Sequence, residues 1–244
     1  SQEAISFAGH YKLNNLIVLF DNNKISIDGS TDLTCSDDHI KRFEASHWNT
    51  LEINGHDLDE IENSLKKASS SKKPTLISCK TIIGYGSPNK SGKESSHGSP
   101  LGKEEAFITK KNLNWHYKDF FVPERILDSW RKIGERGLRR RKVWQRKLKK
   151  SKFKKNLLNQ TKYKKFKRNK DFLEFLKNVT KNTKAEATRK SSLKTLEFFH
   201  SKIDNFIGGS ADLTGSNLTK TSSSKTNGKK LNYIHYGVRE HLMA

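Results

Sequence analysis

"LIVLFDNNKISIDG", residues 16–29, sets five apolar side chains in a row and then stops on an acid and two amides. A short apolar run without alternation is the pattern of a strand buried on both faces of a parallel sheet. The residues that end it have two readings. Asx side chains bond their own backbone and tolerate the left-handed region, so a tight turn accounts for Asp21, Asn22 and Asn23. An Asn carbonyl is also a neutral oxygen that suits Mg²⁺ or Ca²⁺, and ligands of open α/β sheets bind beyond the carboxyl ends of the strands. Composition alone favours the turn, because one amide needs a carboxylate from elsewhere, and usually phosphate oxygens, to hold a cation.

The surrounding pattern fixes the fold class. Residues 1–12 read as a helix with Ala4, Ile5 and Ala8 on one face. A helix over 36–46 is expected to be capped by Ser36. "WNTLEI" (48–53) reads as a strand. Asp57 and Glu60 form a capping-box pattern ahead of a helix to about Ser69, and "PTLISCKTII" (74–83) is another buried strand. Strands alternating with helices at this spacing predict an α/β architecture with a parallel sheet and crossover helices. Residues 84–100 hold four Gly, two Pro and five Ser, a loop long enough to be functional or disordered. A helix follows from about Gly102. Beyond the basic segment, Thr183 and Glu186 mark another capping box, with Leu193, Leu196, Phe199 and Ile203 on the apolar stripe of the next helix. "FIGGSADLTGSN" (206–217) then reads as a strand running into a loop.

Charge is distributed unevenly. The 244 residues carry a formal charge of +22. Arg131 to Lys170 contains 20 Lys/Arg against the single acid Glu135, while the remainder holds 28 bases and 25 acids. The basicity is therefore one segment in a nearly neutral chain. Its apolar residues Val143, Trp144, Leu148, Phe153, Leu157 and Leu158 have roughly helical spacing, so a solvated helical linker is expected. Cys35 and Cys79 lack metal or disulfide-framework spacing and read as buried or free thiols of a reducing cytoplasm. No apolar run approaches the ~20 residues of a membrane span, so no membrane partner is expected.

Four patches in order, "SQEAISFAGHYKLNNLIVLFDNNKISIDGST", "SSHGSP" (95–100), "ATRKSS" with "GGSADLTGSN", and "YGVREHLMA", resemble the transketolase family. The Glu-His of "GVREH" favours transketolase over deoxyxylulose-phosphate synthase, whose matching segment usually reads Glu-Gln-His. The resemblance runs from Ser1 to about Trp130 and from about Thr183 to Ala244, and is weak between. It implies an incomplete thiamine diphosphate-binding fold with three parts. Residues 1–130 would be the C-terminal part of the diphosphate-binding domain. Residues 131–182 would be a basic helical linker. Residues 183–244 would start the pyrimidine-binding domain.

The resemblance also reverses the weighting at the opening stretch. Asn23 matches the family's side-chain ligand of Mg²⁺ (or Ca²⁺), and Ile25 the residue giving a backbone carbonyl to the same ion. Glu240 matches the catalytic Glu that hydrogen-bonds the aminopyrimidine of thiamine diphosphate and promotes formation of its ylid, a role suited to a carboxyl in an apolar site. His97 matches a histidine near the cofactor diphosphate and the ketose carbonyl. Arg189 and Ser216 match ligands of the sugar-phosphate end, where guanidinium geometry suits phosphate. Asp212 matches a residue close to the cofactor at the dimer interface. The implied reaction moves a two-carbon ketol unit from a ketose phosphate to an aldose phosphate, a step of the pentose phosphate pathway, in a homodimer whose sites lie between subunits. By the resemblance, the Gly-Asp-Gly half of the metal motif and its carboxylate would lie upstream of Ser1. The rest of the pyrimidine domain would lie beyond Ala244. An inactive remnant keeping the fold signature is the first alternative. A basic protein binding nucleic acid or acidic surfaces through residues 131–170 is the second.

Overall fold

The computed structural model describes residues 1–161, 169–181, 185–203, 205–228 and 230–244. The chain forms two compact units, Ser1–Phe121 and Val122–Ala244. The first is the predicted α/β element: α1 (Gln2–His10), β1 (Ile17–Asn22), a hairpin of β2 (Ile25–Ser26) and β3 (Gly29–Ser30), α2 (His39–Ala45), β4 (Asn49–Asn54), α3 (Leu58–Ser69), β5 (Thr75–Lys80) and α4 (Lys103–Asn112). The sheet order is β1-β5-β4 and both pairings are parallel, with Thr75 level with Ile17 on one side and Asn49 on the other.

β5 lies at the centre because its sequence is apolar or small on both faces. Thr75, Leu76, Ile77 and Ser78 are all buried. Successive strand residues point to opposite faces, so Leu76 packs with Ala8 and Trp48 on one side, and Ile77 with Ile53 and Ala68 on the other. Trp48 is fixed by its Nε1–H, which donates to the Ile5 carbonyl at 2.8 Å, and by an edge-on contact with Phe43 at 4.9 Å. Helix α1 sits close enough that a Cβ on Gly9 would lie 1.7 Å from the Ser46 carbonyl oxygen. Glycine is required there by proximity of backbones.

Three local expectations are corrected. β1 pairs only with β5 among the described residues, and Leu19 is 60% exposed, so the described residues do not cover the apolar run on both faces. Helix α2 is capped by Asp38, whose carboxylate accepts from the Lys41 N–H at 3.0 Å; Ser36 lies outside the helix because the turn starts at His39. β5 ends at Lys80, and Ile82 and Ile83 belong to the following loop. The cap at Asp57 forms as expected, accepting from the Asp59 and Glu60 N–H groups, but the Glu60 carboxylate reaches the Asn54 N–H at 2.7 Å.

The second unit contains α5 (Glu124–Lys150), α6 (Lys154–Thr161), α7 (Lys170–Lys181), α8 (Thr188–Lys202), β6 (Gly208–Ser210), α9 (Thr214–Asn217), β7 (Tyr233–His235) and α10 (Glu240–Met243). β6 and β7 pair in parallel. α7 packs on α8 through Phe175 stacked on Phe198 at 4.4 Å and through Lys202 paired with Asp171 at 2.7 Å. The capping residue expected at Thr183 lies outside the described residues. Glu186 instead accepts from Ser191 and Lys194. No described helix is long and apolar enough to cross a membrane.

Candidate functional site

In the first unit, the parallel order brings the loops after β1, β4 and β5 to the same carboxyl edge, where such sheets hold ligands. The chain leaves β1 through Asn22 and turns at Lys24, which has φ 61°. Asn23 builds the turn: its Oδ1 accepts the Ile25 N–H at 3.0 Å. The β2–β3 hairpin follows, with Thr31 N–H closing back on the Lys24 carbonyl at 2.9 Å. Both readings of the opening stretch therefore meet in one residue. The turn is made, and an amide oxygen with two lone pairs keeps one free for a cation.

The neighbouring loops are tied to this edge. The Thr81 hydroxyl donates to Asp21, and the Ile82 N–H to His56 Nε2 at 2.9 Å. His56 stacks on Tyr85 at 4.1 Å. Together with burial, the Asp21 charge pushes the Cys79 thiol up. Burial is the larger cause.

The loop carrying His97 is ordered by contacts that sequence reading did not single out. Glu105, in the first turn of α4, accepts from the Ser87 hydroxyl and from the Asn89 side chain and backbone, the latter two at 2.9 and 2.8 Å. These bonds, Ser87 first, lower its pKa to about 2. Lys90 Nζ donates to the carbonyls of Pro100 at 3.2 Å and Leu101 at 3.0 Å. Gly84 has φ 64° and packs on Ser96, so this turn is glycine's. His97 follows a short 3₁₀ turn and is exposed to solvent. The signals available beforehand were weak: an acid in a helix first turn and a lysine inside a Gly/Ser loop.

In the second unit, Asp212 and Glu240 follow the carboxyl ends of the adjacent parallel strands β6 and β7. Tyr236 N–H donates to the Ser210 carbonyl at 3.0 Å and holds the two exits together. Asp212 is exposed and left-handed, φ 61°, a conformation Asp tolerates better than most residues. Glu240 opens α10 and is exposed, so the described residues do not give it the apolar enclosure expected from the resemblance. Ser216 lies on α9 and Arg189 in the first turn of α8, both exposed.

Beneath them, Tyr233 is 1% exposed, and its hydroxyl meets the hydroxyls of Thr214 at 3.0 Å and Thr219 at 2.7 Å. His200 is buried between Asn232 Nδ2 at 2.8 Å from Nε2 and the Thr221 hydroxyl at 2.5 Å from Nδ1. An amide nitrogen only donates, so Nε2 accepts and Nδ1 carries the proton.

The donor set fits a hard cation as part of its shell. Asn23 Oδ1 and the Ile25 carbonyl are neutral oxygens of the right kind. Among the described residues, no three His, Cys, Asp or Glu side chains gather to hold a metal. The compensating charge must come from diphosphate oxygens and a further carboxylate. The cleft of about 430 Å³ between β1 and α2 is a poor diphosphate seat. It is lined by Asp37, Asp38, Glu44 and Glu52 against Lys24 and Lys41.

Two family patterns match the chain. "Transketolase, thiamine diphosphate binding domain" covers residues 1–171, and "Transketolase, pyrimidine binding domain" covers residues 184–244. A transketolase of Buchnera aphidicola subsp. Schizaphis graminum (strain Sg) is 42% identical over 250 residues, which is 98% of this chain and 37% of that protein. Transketolase 2 of Escherichia coli (strain K12) is 40% identical over 249 residues, with the same coverage of 98% and 37%. The crystal structure of transketolase from Campylobacter jejuni subsp. jejuni NCTC 11168 superposes with a TM-score of 0.85 at 35% identity, covering 100% of this chain and 37% of that one. Pichia stipitis transketolase in complex with sedoheptulose-7-phosphate gives 0.82 at 31% identity, covering 99% and 38%. The chain thus spans little more than a third of the length of these relatives.

Proposed function

The chain belongs to the transketolase family, and from that premise we propose that it supplies part of a thiamine diphosphate-dependent site transferring a two-carbon ketol unit from a ketose phosphate to an aldose phosphate. The observation that carries this reading is the pair of family matches in family order, residues 1–171 and 184–244. We take residues 1–130 as diphosphate-binding, 131–182 as linker and 183–244 as pyrimidine-binding. When bound, thiamine diphosphate supplies a carbon nucleophile that takes up the two-carbon unit, and the protein positions and polarises the reacting groups.

Each residue then has a task set by its own chemistry. Asn23 and Ile25 give neutral oxygens to Mg²⁺ (or Ca²⁺) at the diphosphate. The Asx turn pre-sets both, because one hydrogen bond fixes the side chain of the first against the backbone of the second. His97, on a loop anchored by Glu105 and Lys90, stabilises charge or moves a proton at the ketose carbonyl. Glu240 holds a proton against the aminopyrimidine ring. Its site is closed by a partner subunit in a homodimer. Asp212 stands beside it at the same strand edge. Arg189 and Ser216 bind the sugar-phosphate end, the guanidinium by paired donors. We place this work in the cytoplasm, in the pentose phosphate pathway.

Cofactor-dependent ketol transfer from a ketose phosphate, measured on the full-length protein that carries this chain with excess thiamine diphosphate and Mg²⁺, tests the reading. Activity is expected, and Glu240→Gln is expected to lower it roughly 100-fold or more while calorimetry still detects cofactor binding. Absence of both turnover and thiamine diphosphate binding would identify an inactive remnant.

A further inference from the structure

Tyr233 is a buried group to which that reading gives no task. It lies in β7, 1% exposed, level with Gly208 of β6. Its hydroxyl reaches α9 at two points. Thr214, the first residue of that helix, is at 3.0 Å, and Thr219, just past its end, is at 2.7 Å. Ser216 lies between the two threonines in sequence and is exposed, while both threonines are half-buried. A phenol carries one proton, so with two hydroxyl partners it donates to one and accepts from the other. One oxygen therefore holds both ends of the segment that presents Ser216.

The segment needs such a hold. α9 is four residues long, and a single helical turn cannot sustain itself by its own hydrogen bonds. It ends at Leu218 with φ 53° and ψ 47°. A non-glycine residue keeps this left-handed backbone only where its surroundings over-determine it. The Tyr233 hydroxyl grips the chain on both sides of Leu218, and Ser210 Oγ accepts the Leu213 N–H at 3.2 Å just ahead of the helix. Past Thr219 the chain is held separately, by His200 on Thr221 and by Asn232 Nδ2 on the Ser223 carbonyl at 3.3 Å. Tyr233 and Ser210 are buried and both threonines half-buried, so the clamp does not depend on what covers the outer surface. We propose that Tyr233 is a positioning residue for the phosphate end of the sugar substrate. It fixes α9 against the strand that leads to Glu240, and so sets where the Ser216 hydroxyl stands. This rests on the reading that Ser216 binds that phosphate.

The test is steady-state ketol transfer by the full-length protein that carries this chain, with fructose-6-phosphate and with fructose as donors. Tyr233→Phe keeps the ring and removes only the oxygen. It is expected to raise KM for fructose-6-phosphate about five-fold with kcat within about two-fold, the pattern of lost uniform binding. For fructose, which has no phosphate for Ser216 to bind, kcat/KM is expected to stay within about two-fold. In a Ser216→Ala background the tyrosine change is expected to add less than about two-fold, because a residue acting through another then has nothing to act on. Thr219→Val leaves the Tyr233 hydroxyl paired with Thr214. It is expected to show the same selectivity, and it carries the test if circular dichroism finds Tyr233→Phe unfolded. Amide exchange of residues 214–219 is expected to quicken in both variants. The proposal is overturned if KM for fructose-6-phosphate does not move, if both donors are affected alike, or if the effect persists in full in the Ser216→Ala background. A parent protein without ketol transfer defeats the catalytic reading and this proposal together. The positioning proposal fails alone when the parent turns over and the variants treat the two donors alike.

Discussion

β5 and α5 are the two most strongly patterned segments of the chain, and the fold treats them in opposite ways. Thr75 to Ser78 of β5 are buried and the strand has a partner on each side. α5 has 27 residues against 15 for the next longest described helix, α8, and every residue from Arg131 to Lys147 is exposed. The difference lies in what each pattern demands. A strand that is apolar on both faces can bury itself only between layers, so its sequence commits it to the core. A helix with one apolar stripe and twelve bases satisfies its own backbone bonds and can stand in solvent. Pattern strength therefore measures how firmly a local structure is specified. Packing needs a complementary surface as well.

Substitutions can break this contrast. Ile77→Ala, at the middle of β5, should cost about 3 kcal/mol through lost burial and a residual cavity, read as a shift in chemical denaturation; a cost near zero would mean the sheet is not the core. Gly9→Ala should follow at about 2–3 kcal/mol, since its Cβ meets backbone at Ser46 and overpacking is not relieved by a rotamer. Tyr233→Phe should cost about 1–2 kcal/mol by removing a buried hydroxyl shared by Thr214 and Thr219. On α5, Trp144→Ser should change stability by less than about 0.5 kcal/mol. A larger loss would show that the stripe has a partner within the chain.

The subtlest effect is one of pH. The Glu105 carboxylate is depressed from 4.5 to about 2 by Ser87 and Asn89. A depressed pKa stabilises the folded state above the unfolded value, and that contribution is lost as pH falls through the folded one. The melting-temperature gap between the parent chain and Glu105→Gln should be constant above about pH 5 and shrink toward pH 2. Amide exchange of residues 87–90 should rise over the same window. A gap independent of pH would show that the charged form is not what ties the His97 loop.

Much of this was legible in the residues. Periodicity gave the alternating helices and strands, Asp57 announced its cap, and charge counting located the solvated helix. Local hydrogen-bonding chemistry also forecast the Asn23 turn. That β1 has a single strand partner among the described residues was not legible, because an apolar run looks the same whether one neighbour or two will flank it. Neither was the role of Glu105, whose partners are 16 and 18 residues away in sequence. By itself the sequence determined the α/β class, since that follows from the spacing of its apolar runs, and its resemblance to transketolases named the family. The tertiary structure alone decided which of the described strands is central, and that Asp212 and Glu240 leave adjacent strand ends. Those facts depend on contacts between distant segments, and no local pattern encodes them.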